Sequence, residues 1–269
     1  MALVKSIETG QVKRSAADIY EEFFVPALFL PWAMHVAEAA EVQSGQRVLD
    51  VACGTGVLAR ELATRVGPIG KVTGFDINEG MLEVARRKEP SIEWRQGEAE
   101  LLPFPDDNFD AVVSQFGLMF FADRKQSIRE MVRVLKPGRH IAVAVWDKLE
   151  NTPGYAAASM LLHRLFGATI AESLRSPYVL GDISTLKDLF VDTGLSAVSV
   201  NTVDGVAKFS SIEDWMHTDV RGWTLADALD DDQYDLLLKE AKIALERFVL
   251  SDGRVEFASP AHIVKATKS

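Results

Sequence analysis

The sequence is poor in several features that would assign it to large classes of protein. Cys53 is the only cysteine among 269 residues, so an internal disulfide is excluded and a reducing compartment suits the chain. Its 29 Lys and Arg residues are outnumbered by 39 Asp and Glu residues, which leaves a net charge of −10. Broad nucleic-acid binding needs clustered cations. We therefore expect a cytoplasmic protein that does not bind nucleic acid.

Long hydrophobic runs and metal-ligand spacings are also missing. The apolar stretch at residues 23–33 is interrupted by proline and is too short to cross a bilayer, and residues 1–15 lack the apolar core of a signal peptide. The sequence therefore predicts no membrane association. No metal-ligand spacing, and hence no metal site, is expected from the histidines, which are His35, His140, His163, His217 and His262.

Apolar runs and helical patterns alternate through the first half of the chain. Such alternation with short connections is typical of βαβ units, and it predicts a parallel sheet covered on both faces in a doubly wound α/β fold. We predict strands at residues 48–51, 71–76, 92–96, 109–114 and 141–145. We predict helices at residues 57–63, 79–88 and 124–135, the last capped by Asp123.

The rest of the chain is predicted to be mainly helical. Residues 16–40 read as two or three short helices because Pro26 and Pro31 interrupt the pattern. Further helices are predicted at residues 153–166, 184–192, 211–218 and 233–248, the last capped by the acids at 230–232. Two more strands are predicted at residues 196–203 and 255–266.

A glycine loop follows the first predicted strand and opens a helix. Gly54, Gly56 and Ala59 fit the pattern G-x-G-x-x-G/A, and Asp76 follows at the distance of a ribose-binding acid. Glycines let the main chain approach a ligand, and a helix start offers free amide groups. The loop is therefore a candidate nucleoside-cofactor site, although glycines can also serve only close packing in a βα turn.

The negative charge of Asp50 distinguishes between the candidate cofactors. An acid at the end of the first strand is unfavourable beside a pyrophosphate but suits an ammonium or sulfonium group. S-adenosylmethionine is thus favoured over NAD. No P-loop lysine follows the glycines, so a nucleoside triphosphate is not expected.

Four motifs in order carry a family resemblance. They stand at residues 48–56, 74–78, 96–110 and 134–138. Together they resemble class I S-adenosylmethionine-dependent methyltransferases, in the branch of ubiquinone and menaquinone C-methyltransferases and small-molecule methyltransferases. The resemblance covers residues 20–147 well and the remainder weakly. Ala52 departs from the family pattern, which usually has glycine there.

The resemblance implies an architecture. The fold would be a Rossmann-like, mostly parallel, seven-stranded sheet with an antiparallel last strand and a helical cap. Residues 1–40 would form an N-terminal helical lid. Residues 41–269 would form the methyltransferase domain, with cap insertions at about 151–195 and 208–250.

The resemblance also implies a cofactor site at the ends of four strands. The methionine end would lie over Asp50 and the glycines, Asp76 would accept hydrogen bonds from the ribose hydroxyls, and Ile77 and Met81 would flank the adenine. The expected set is Asp50, Ala52, Gly54, Thr55, Gly56, Asp76, Ile77, Asn78, Met81, Gly97, Glu98, Ala99, Ser114, Gln115 and Phe116.

The methyl acceptor is the least determined part of the site. His217 is a candidate base, with surface or core packing as the alternative, and Cys53 is expected to be a packing residue. Candidate walls of an acceptor pocket, or alternatively core residues, are the aromatic side chains Phe24, Trp32, Trp146, Tyr155 and Trp223.

The expected function is methyl transfer to a small, partly hydrophobic molecule by direct displacement. This reaction needs a nucleophile held in line with the methyl group rather than a catalytic triad. An NAD-dependent oxidoreductase and a non-catalytic S-adenosylmethionine-binding protein remain alternatives. The oligomeric state stays open, with a homodimer as one option.

Overall fold

A seven-stranded sheet lies at the centre of the computed structural model, which describes residues 14–222, 225 and 228–269. The strands are β1 Arg47–Val51, β2 Lys71–Asp76, β3 Glu93–Gln96, β4 Phe109–Gln115, β5 Leu135–Trp146, β6 Leu195–Val203, β7 Val206–Phe209, β8 Val255–Ala258 and β9 Ala261–Lys268. The sheet order is β3-β2-β1-β4-β5-β9-β6. The first five strands are parallel, and β9 runs antiparallel to β5 and β6. The predicted fold class is confirmed.

Helices surround this sheet. They are α1 Arg14–Ile19, α2 Leu30–Ala39, α3 Val57–Val66, α4 Glu79–Lys88, α5 Arg124–Val134, α6 Pro153–Phe166, α7 Ala168–Arg175, α8 Ile183–Asp188, α9 Ile212–Arg221 and α10 Asp231–Ala244. Short 3₁₀ turns lie at Leu118–Phe120, Leu149–Asn151, Ser176–Tyr178 and Glu246–Phe248. The predicted caps are confirmed, since Asp123 accepts from the Gln126 amide and Asp230 forms a capping box with Gln233. Among the described helices, none is long and apolar enough to cross a bilayer.

The order of the sheet reverses between β1 and β4. The chain builds outward from β1 through β2 to β3 and then returns to place β4 on the other side of β1. Open α/β sheets bind ligands outside the carboxyl ends of the strands at such a reversal. Val48 to Val51 are all buried, so β1 is a rigid support for the loop that follows it.

The N-terminal segment is one continuous helical path, where the sequence predicted separate short helices. A π-helix, Tyr20–Phe29, joins α1 to α2 directly. Pro26 lies inside this π-helix, whose wider turn relieves the clash of the proline ring with the preceding turn, and Pro31 lies in the first turn of α2, where proline is tolerated. The prolines therefore change the helix type without ending the helix.

The chain after β5 differs from the predicted elements in several places. The single strand expected at residues 255–266 is two strands, because Pro260 has no amide hydrogen for a ladder and the chain changes sheets there. Strands β7 and β8 pair in a small second sheet that was not predicted. Helix α7 was missed, and the helix expected at 184–192 ends at Asp188.

The small sheet packs onto α9 through aromatic rings. Trp215 is fully buried, and its ring stacks on Phe209 at a centroid distance of 5.5 Å and tilts against Phe257 at 4.7 Å. Gly154 at the start of α6 allows this packing, since a Cβ there would stand 2.4 Å from the Phe257 ring. The aromatic cluster fixes α9 relative to α6, and both helices contribute to the site described below.

Arg133 on α5 holds the long connection between β3 and β4. Its guanidinium donates to the carbonyl oxygens of Leu102 and Phe104 and to the carboxylates of Asp106 and Glu130, at 2.7 to 2.9 Å. Glu130 also accepts from the Leu102 amide at 2.9 Å. A segment without regular structure is thus anchored to a helix by charge-assisted hydrogen bonds.

Replacing this anchor tests its contribution to stability. We expect Arg133→Met to lower the free energy of unfolding by about 2 to 3 kcal/mol, because carbonyl and carboxylate groups lose a charged donor. Urea denaturation measures the change. The matched control is Arg129→Met on the exposed side of the same helix, for which a change within about 0.5 kcal/mol is expected. Equal losses in both variants would contradict the anchoring role.

Candidate active site

The loop after β1 turns sharply at the carboxyl edge of the sheet. Ala52, Gly54 and Gly56 have φ values of 58°, 54° and 88°, in the left-handed region that favours glycine. Ala52, where the family pattern has glycine, therefore carries a strain of roughly 1 kcal/mol. Its methyl group occupies space beside Gly117, where an added Cβ would stand 2.5 Å from the Ala52 Cβ.

The two glycines of the loop have different surroundings. At Gly56 an added Cβ would stand 2.3 Å from the ring of Trp94, and at Gly74 on β2 the same ring would lie equally close. At Gly54 no atom lies within 4 Å of the position of a Cβ. Gly56 is thus required by packing against Trp94, whereas Gly54 leaves open space.

Asp76 at the end of β2 ties this loop to the next one. Its carboxylate accepts from the Gly54 amide at 2.7 Å and from the Asn78 amide at 2.8 Å. Burial raises the pKa of Asp76, and these amide hydrogen bonds, with that of Ile77, oppose the rise. Each carboxylate oxygen has a second lone pair, so Asp76 can accept further hydrogen bonds from a ligand.

Asp50 is buried without a partner. Its side chain is 1% exposed, and neither oxygen makes a hydrogen bond within the described part of the chain. Burial, reinforced by the charge of Asp76, holds the pKa of Asp50 well above its usual range, and the Ala59 amide opposes this shift. A cation placed beside Asp50 would favour its charged form.

Other unpaired polar atoms lie near Asp50. Within the described residues, the Thr55 hydroxyl and the Gln115 Oε1 are buried and also make no hydrogen bond. Both line an inner cavity of about 30 Å³, together with Asp50, Ala52 and Gly54. Unpaired buried polar atoms cost free energy, so this inner cavity suits the polar, positively charged end of a ligand.

The main cavity has a volume of about 640 Å³, the size of a cofactor site. It lies outside the carboxyl ends of β1 to β4. Its walls include eleven of the predicted cofactor residues, which are Ala52, Gly54, Asp76, Ile77, Asn78, Met81, Gly97, Glu98, Ala99, Gln115 and Phe116. Residues that were not predicted also line it, namely Tyr20, Phe75, Glu100, Gly117, Phe120, Phe121, Ala122 and Asp123.

Two predicted cofactor residues lie elsewhere. Gly56 lines none of the three cavities described here, since it faces the Trp94 ring. Ser114 is fully buried within β4, and its Oγ is turned toward Gly117. The sequence pattern could not distinguish residues that face a ligand from those that support the loop behind it.

An aromatic pocket adjoins the main cavity, with which it shares Tyr20, Phe116 and Phe120. Its volume is about 50 Å³, so it holds a small group. Phe116 stacks on Trp146 at a centroid distance of 3.8 Å and forms one wall. The pocket is lined by Tyr20, Phe24, Leu28, Phe29, Phe116, Phe120, Trp146, Tyr155, Ser173, Leu174, Pro177, Tyr178 and Asp219.

The predicted acceptor residues are thus only partly brought together. Phe24, Trp146 and Tyr155 line the aromatic pocket, whereas Trp32 packs edge-on behind Trp146 at 6.0 Å and does not. Trp223 lies outside the described residues. The candidate base His217 lines none of the three cavities and packs against Phe23 at 5.5 Å, because it lies off the buried face of α9.

Tyr20 and Asp219 are two of the lining residues that the sequence did not predict. Tyr20 lines all three cavities, and burial raises its pKa. Asp219 follows Ile212, Trp215 and Met216 at helical spacing, so an acid stands in the apolar stripe of an amphipathic helix. The sequence alone could therefore have identified Asp219 as an unusual buried acid.

Charge distinguishes the walls of the cavities. Acids line the main cavity, and Asp50 lines the inner one, whereas no Lys or Arg of the described residues lines any of the three. Among the same residues, no group of three or more His, Cys, Asp or Glu side chains could hold a metal ion. The site therefore suits a ligand with positive charge.

Comparison with known proteins gives a family match. The model of the ubiE/COQ5 methyltransferase family matches residues 22–210, which include nearly all of the main-cavity walls. The ubiquinone/menaquinone biosynthesis C-methyltransferase UbiE of Pseudomonas paraeruginosa is 34% identical over 220 residues, 75% of this chain and 86% of that protein. UbiE of Pseudomonas entomophila is 35% identical over 218 residues, 74% of this chain and 85% of that protein.

Solved structures share the fold. Phosphoethanolamine N-methyltransferase 2 of Haemonchus contortus, in complex with S-adenosyl-L-methionine, has a TM-score of 0.62 at 18% identity, covering 100% of this chain and 60% of that one. A putative methyltransferase of Bacillus halodurans has a TM-score of 0.58 at 23% identity, covering 88% of this chain and 98% of that one. These similarities extend the fold assignment to the C-terminal third.

The open space at Gly54 generates a test. We expect Gly54→Ala to weaken binding of S-adenosylhomocysteine, the product of the expected cofactor, at least fivefold in calorimetry, because its methyl group would enter the space that a ligand needs. The control is Gly138→Ala, since Gly138 also has a positive φ, +72°, and open space around a Cβ. It carries the same backbone strain away from the cavity and should bind normally. Equal weakening in both variants would show that strain alone is responsible.

Proposed function

Since the chain belongs to the ubiE/COQ5 methyltransferase family and is an S-adenosylmethionine-dependent methyltransferase, we propose that it methylates a small, partly hydrophobic molecule bound in the aromatic pocket. The observation that carries this proposal is the juxtaposition of two unlike spaces. An acid-lined cavity of cofactor size meets an aromatic pocket at Tyr20, Phe116 and Phe120. A methyl donor and a hydrophobic acceptor can therefore lie side by side.

The charge of the walls supports S-adenosylmethionine over a dinucleotide. Asp76, Glu98, Glu100 and Asp123 line the main cavity, and Asp50 lies unpaired in the inner cavity. A pyrophosphate would meet these carboxylates, and no described residue of the cavity walls supplies a basic side chain to offset the repulsion. The nicotinamide-dependent alternative therefore gains no support from either the site or the relatives.

The cofactor's parts can be assigned to the walls by their chemistry. Asp50, Thr55 and Gln115 would hold the methionine end, because their unpaired atoms lie together at the inner cavity. Asp76 would accept from the ribose hydroxyls, and Met81 in the first turn of α4 would lie against the adenine. When bound, S-adenosylmethionine supplies an electrophilic methyl group on a positively charged sulfur.

The acceptor is the molecule that places a small group in the aromatic pocket. Its rings offer apolar contact and edge-to-face packing, which favour a flat, partly hydrophobic group. The names of the Pseudomonas relatives place their methylation on carbon in ubiquinone and menaquinone biosynthesis. By analogy we assign the present acceptor to small aromatic compounds, methylated by direct displacement. The protein's task is alignment and exclusion of water.

The lid was predicted at residues 1–40, of which residues 1–13 lie outside the described residues, and residues 14–40 are proposed to act as a lid over this junction. Phe24, Leu28 and Phe29 of the π-helix line the aromatic pocket, so an acceptor would have to pass this segment. Residues 41–269 would then be the methyltransferase domain, with the α6 to α8 and α9 to α10 regions as its cap. We place the protein in the cytoplasm, because its single buried thiol needs no oxidising compartment.

The role of Asp76 is tested by removing its carboxylate. We expect Asp76→Ala to weaken binding of S-adenosylhomocysteine by about 1.5 to 3 kcal/mol, the range for a charged hydrogen-bonding partner. Calorimetric titration measures this loss. Asp106→Ala in the exposed β3–β4 connection is the control for removal of a carboxylate and should bind normally. Unchanged affinity in Asp76→Ala would show that the ribose is held elsewhere.

The function itself is tested by transfer of a labelled methyl group. The protein is incubated with methyl-labelled S-adenosylmethionine and panels of phenols, quinols, amines and carboxylates, and labelled products are separated by chromatography. We expect transfer to members of the aromatic panels and tight binding of S-adenosylhomocysteine without binding of NADH. Normal cofactor binding with transfer to no panel member would favour the non-catalytic alternative.

A further inference from the structure

One carboxyl group lies within the aromatic pocket. Asp219 is 3% exposed and is the only acid among the described residues that line this pocket. Helix α9 presents it from the same buried face as Trp215, whose ring is fixed by the small sheet. The packing of α9 against the small sheet therefore fixes the position of this carboxylate.

The two oxygens of Asp219 differ. Oδ1 accepts from the Tyr155 hydroxyl at 3.1 Å, whereas Oδ2 is buried and makes no hydrogen bond within the described residues. The indole N–H of Trp215 lies close enough to favour the carboxylate form without reaching the geometry of a hydrogen bond. A side chain that is almost fully buried thus keeps one acceptor oxygen available at a ligand pocket.

The groups that face Asp219 carry no positive charge. Tyr155 on α6 and Tyr178 on the 3₁₀ turn are the other titratable groups beside it, and no Lys, Arg or His of the described residues lines the pocket. Burial raises the pKa of Asp219 to about 8, and Tyr155 and Trp215 oppose the rise. Without a cation, the carboxylate gains a partner only when a ligand brings a proton donor.

We propose that Asp219 binds a hydroxyl group of the methyl acceptor through Oδ2 and takes its proton. This assignment rests on the proposed methyltransferase function and deepens it. Tyr155 is a positioning residue, since its hydroxyl orients the carboxylate through Oδ1.

The proton transfer completes a balanced reaction. The acceptor O–H bond breaks, its proton moves to Oδ2, and the electron pair stays on the acceptor as a phenolate. A pair from that oxygen, or from a conjugated ring carbon, forms the bond to the methyl carbon while the carbon–sulfur bond breaks toward sulfur. The sulfonium becomes the neutral thioether of S-adenosylhomocysteine. After attack from carbon, the neutral dienone that forms moves its ring proton to its oxygen and restores the hydroxyl group, so the one proton released overall is again the one held by Asp219.

Basicity matters because the methyl donor is already electrophilic. What a neutral phenol lacks is nucleophilicity, and removal of its proton supplies it. A carboxyl with a pKa near 8 is matched to this task near neutral pH, better than an ordinary exposed aspartate. The opposite assignment, a neutral Asp219 donating to an acceptor carbonyl, predicts the reverse dependence on pH.

The test compares two probes that differ in one hydroxyl group. 4-Fluorophenol and fluorobenzene are titrated by fluorine NMR into protein saturated with S-adenosylhomocysteine. We expect the native protein to prefer 4-fluorophenol at least fivefold at pH 8.5 and less at pH 6.5, with the change centred near pH 8. Asp219→Asn should abolish the dependence on pH. Asp214→Asn, an acid-to-amide change on α9 outside the pocket, should keep it.

Tyr155→Phe provides a second, independent readout. Loss of the hydroxyl that stabilises the carboxylate should move the midpoint of the phenol preference to higher pH, a shift that a purely structural tyrosine would not cause. This variant also serves if Asp219→Asn fails to fold. A preference that falls with rising pH, or one that Asp219→Asn leaves unchanged, would overturn the proposal. Failure of S-adenosylhomocysteine to bind would instead overturn the proposed function.

Thermal unfolding supplies a readout that is independent of any ligand. The folded-state pKa of Asp219 lies above that of an unfolded chain, so the folded state binds the proton more tightly and loses stability as pH rises from about 4 toward 8. Asp219→Asn should therefore be at least as stable as the native protein at pH 8.5. A melting temperature lower by several degrees at that pH would mark Asp219 as a structural residue and overturn its proposed role.

Discussion

The hydrogen bonds of Asp76 hold together the loops on which the cofactor site depends. One carboxylate oxygen accepts from the Gly54 amide in the loop after β1, and the other accepts from the Asn78 amide at the start of α4. Two segments from neighbouring parallel strands are thereby joined at the carboxyl edge of the sheet. Because a cofactor would contact the same carboxylate, the group that orders the unliganded loops is also the group that would receive the ribose.

Packing behind the loop explains why its glycine pattern alone could not identify a cofactor. The ring of Trp94 packs against both Gly56 and Gly74. A Cβ at either position would clash with this ring, whatever ligand is bound. Of Gly54, Gly56 and Gly74, only Gly54 faces open space. The dinucleotide and methyltransferase patterns share this close packing, so the distinction between them lies in charge. Asp50 and the acids of the main cavity make that distinction.

The first half of the chain was predictable because its signals are local. Strands β1 to β5, the loop after β1 and the caps of α5 and α10 follow from short patterns of apolar residues, glycines and acids. Eleven predicted cofactor residues meet at one cavity, because parallel strands bring their carboxyl ends to the same edge. Gly56 and Ser114 line none of the described cavities, since a pattern does not show which side of a loop faces the ligand.

The acceptor pocket was only partly predictable, because distant segments assemble it. Phe24, Phe116, Tyr155 and Asp219 come from four elements that share no spacing in the sequence. In the aromatic N-terminal segment, the sequence suggested Trp32 as readily as Phe24. Only the structure shows that Phe24 lines the pocket and that Trp32 packs behind Trp146. Asp219 differs from these aromatic residues because it can be recognised in the sequence, as an acid within the apolar stripe of α9. Such a contradiction of the local pattern is what a functional residue leaves in a sequence.

Buried acids at both ends of the site place opposite demands on the ligands. Asp50 and Asp219 each have a pKa raised by burial, so each destabilises the unliganded fold when it is ionised. At Asp50 a positive charge offsets the cost of the buried carboxylate, and a sulfonium cofactor carries such a charge. At Asp219 a proton neutralises the buried carboxylate, and a hydroxyl acceptor would give up that proton as it becomes a nucleophile. After methyl transfer the sulfur is neutral, whereas the ammonium group at the methionine end of the product would stay beside Asp50, and Asp219 must release its proton before another cycle.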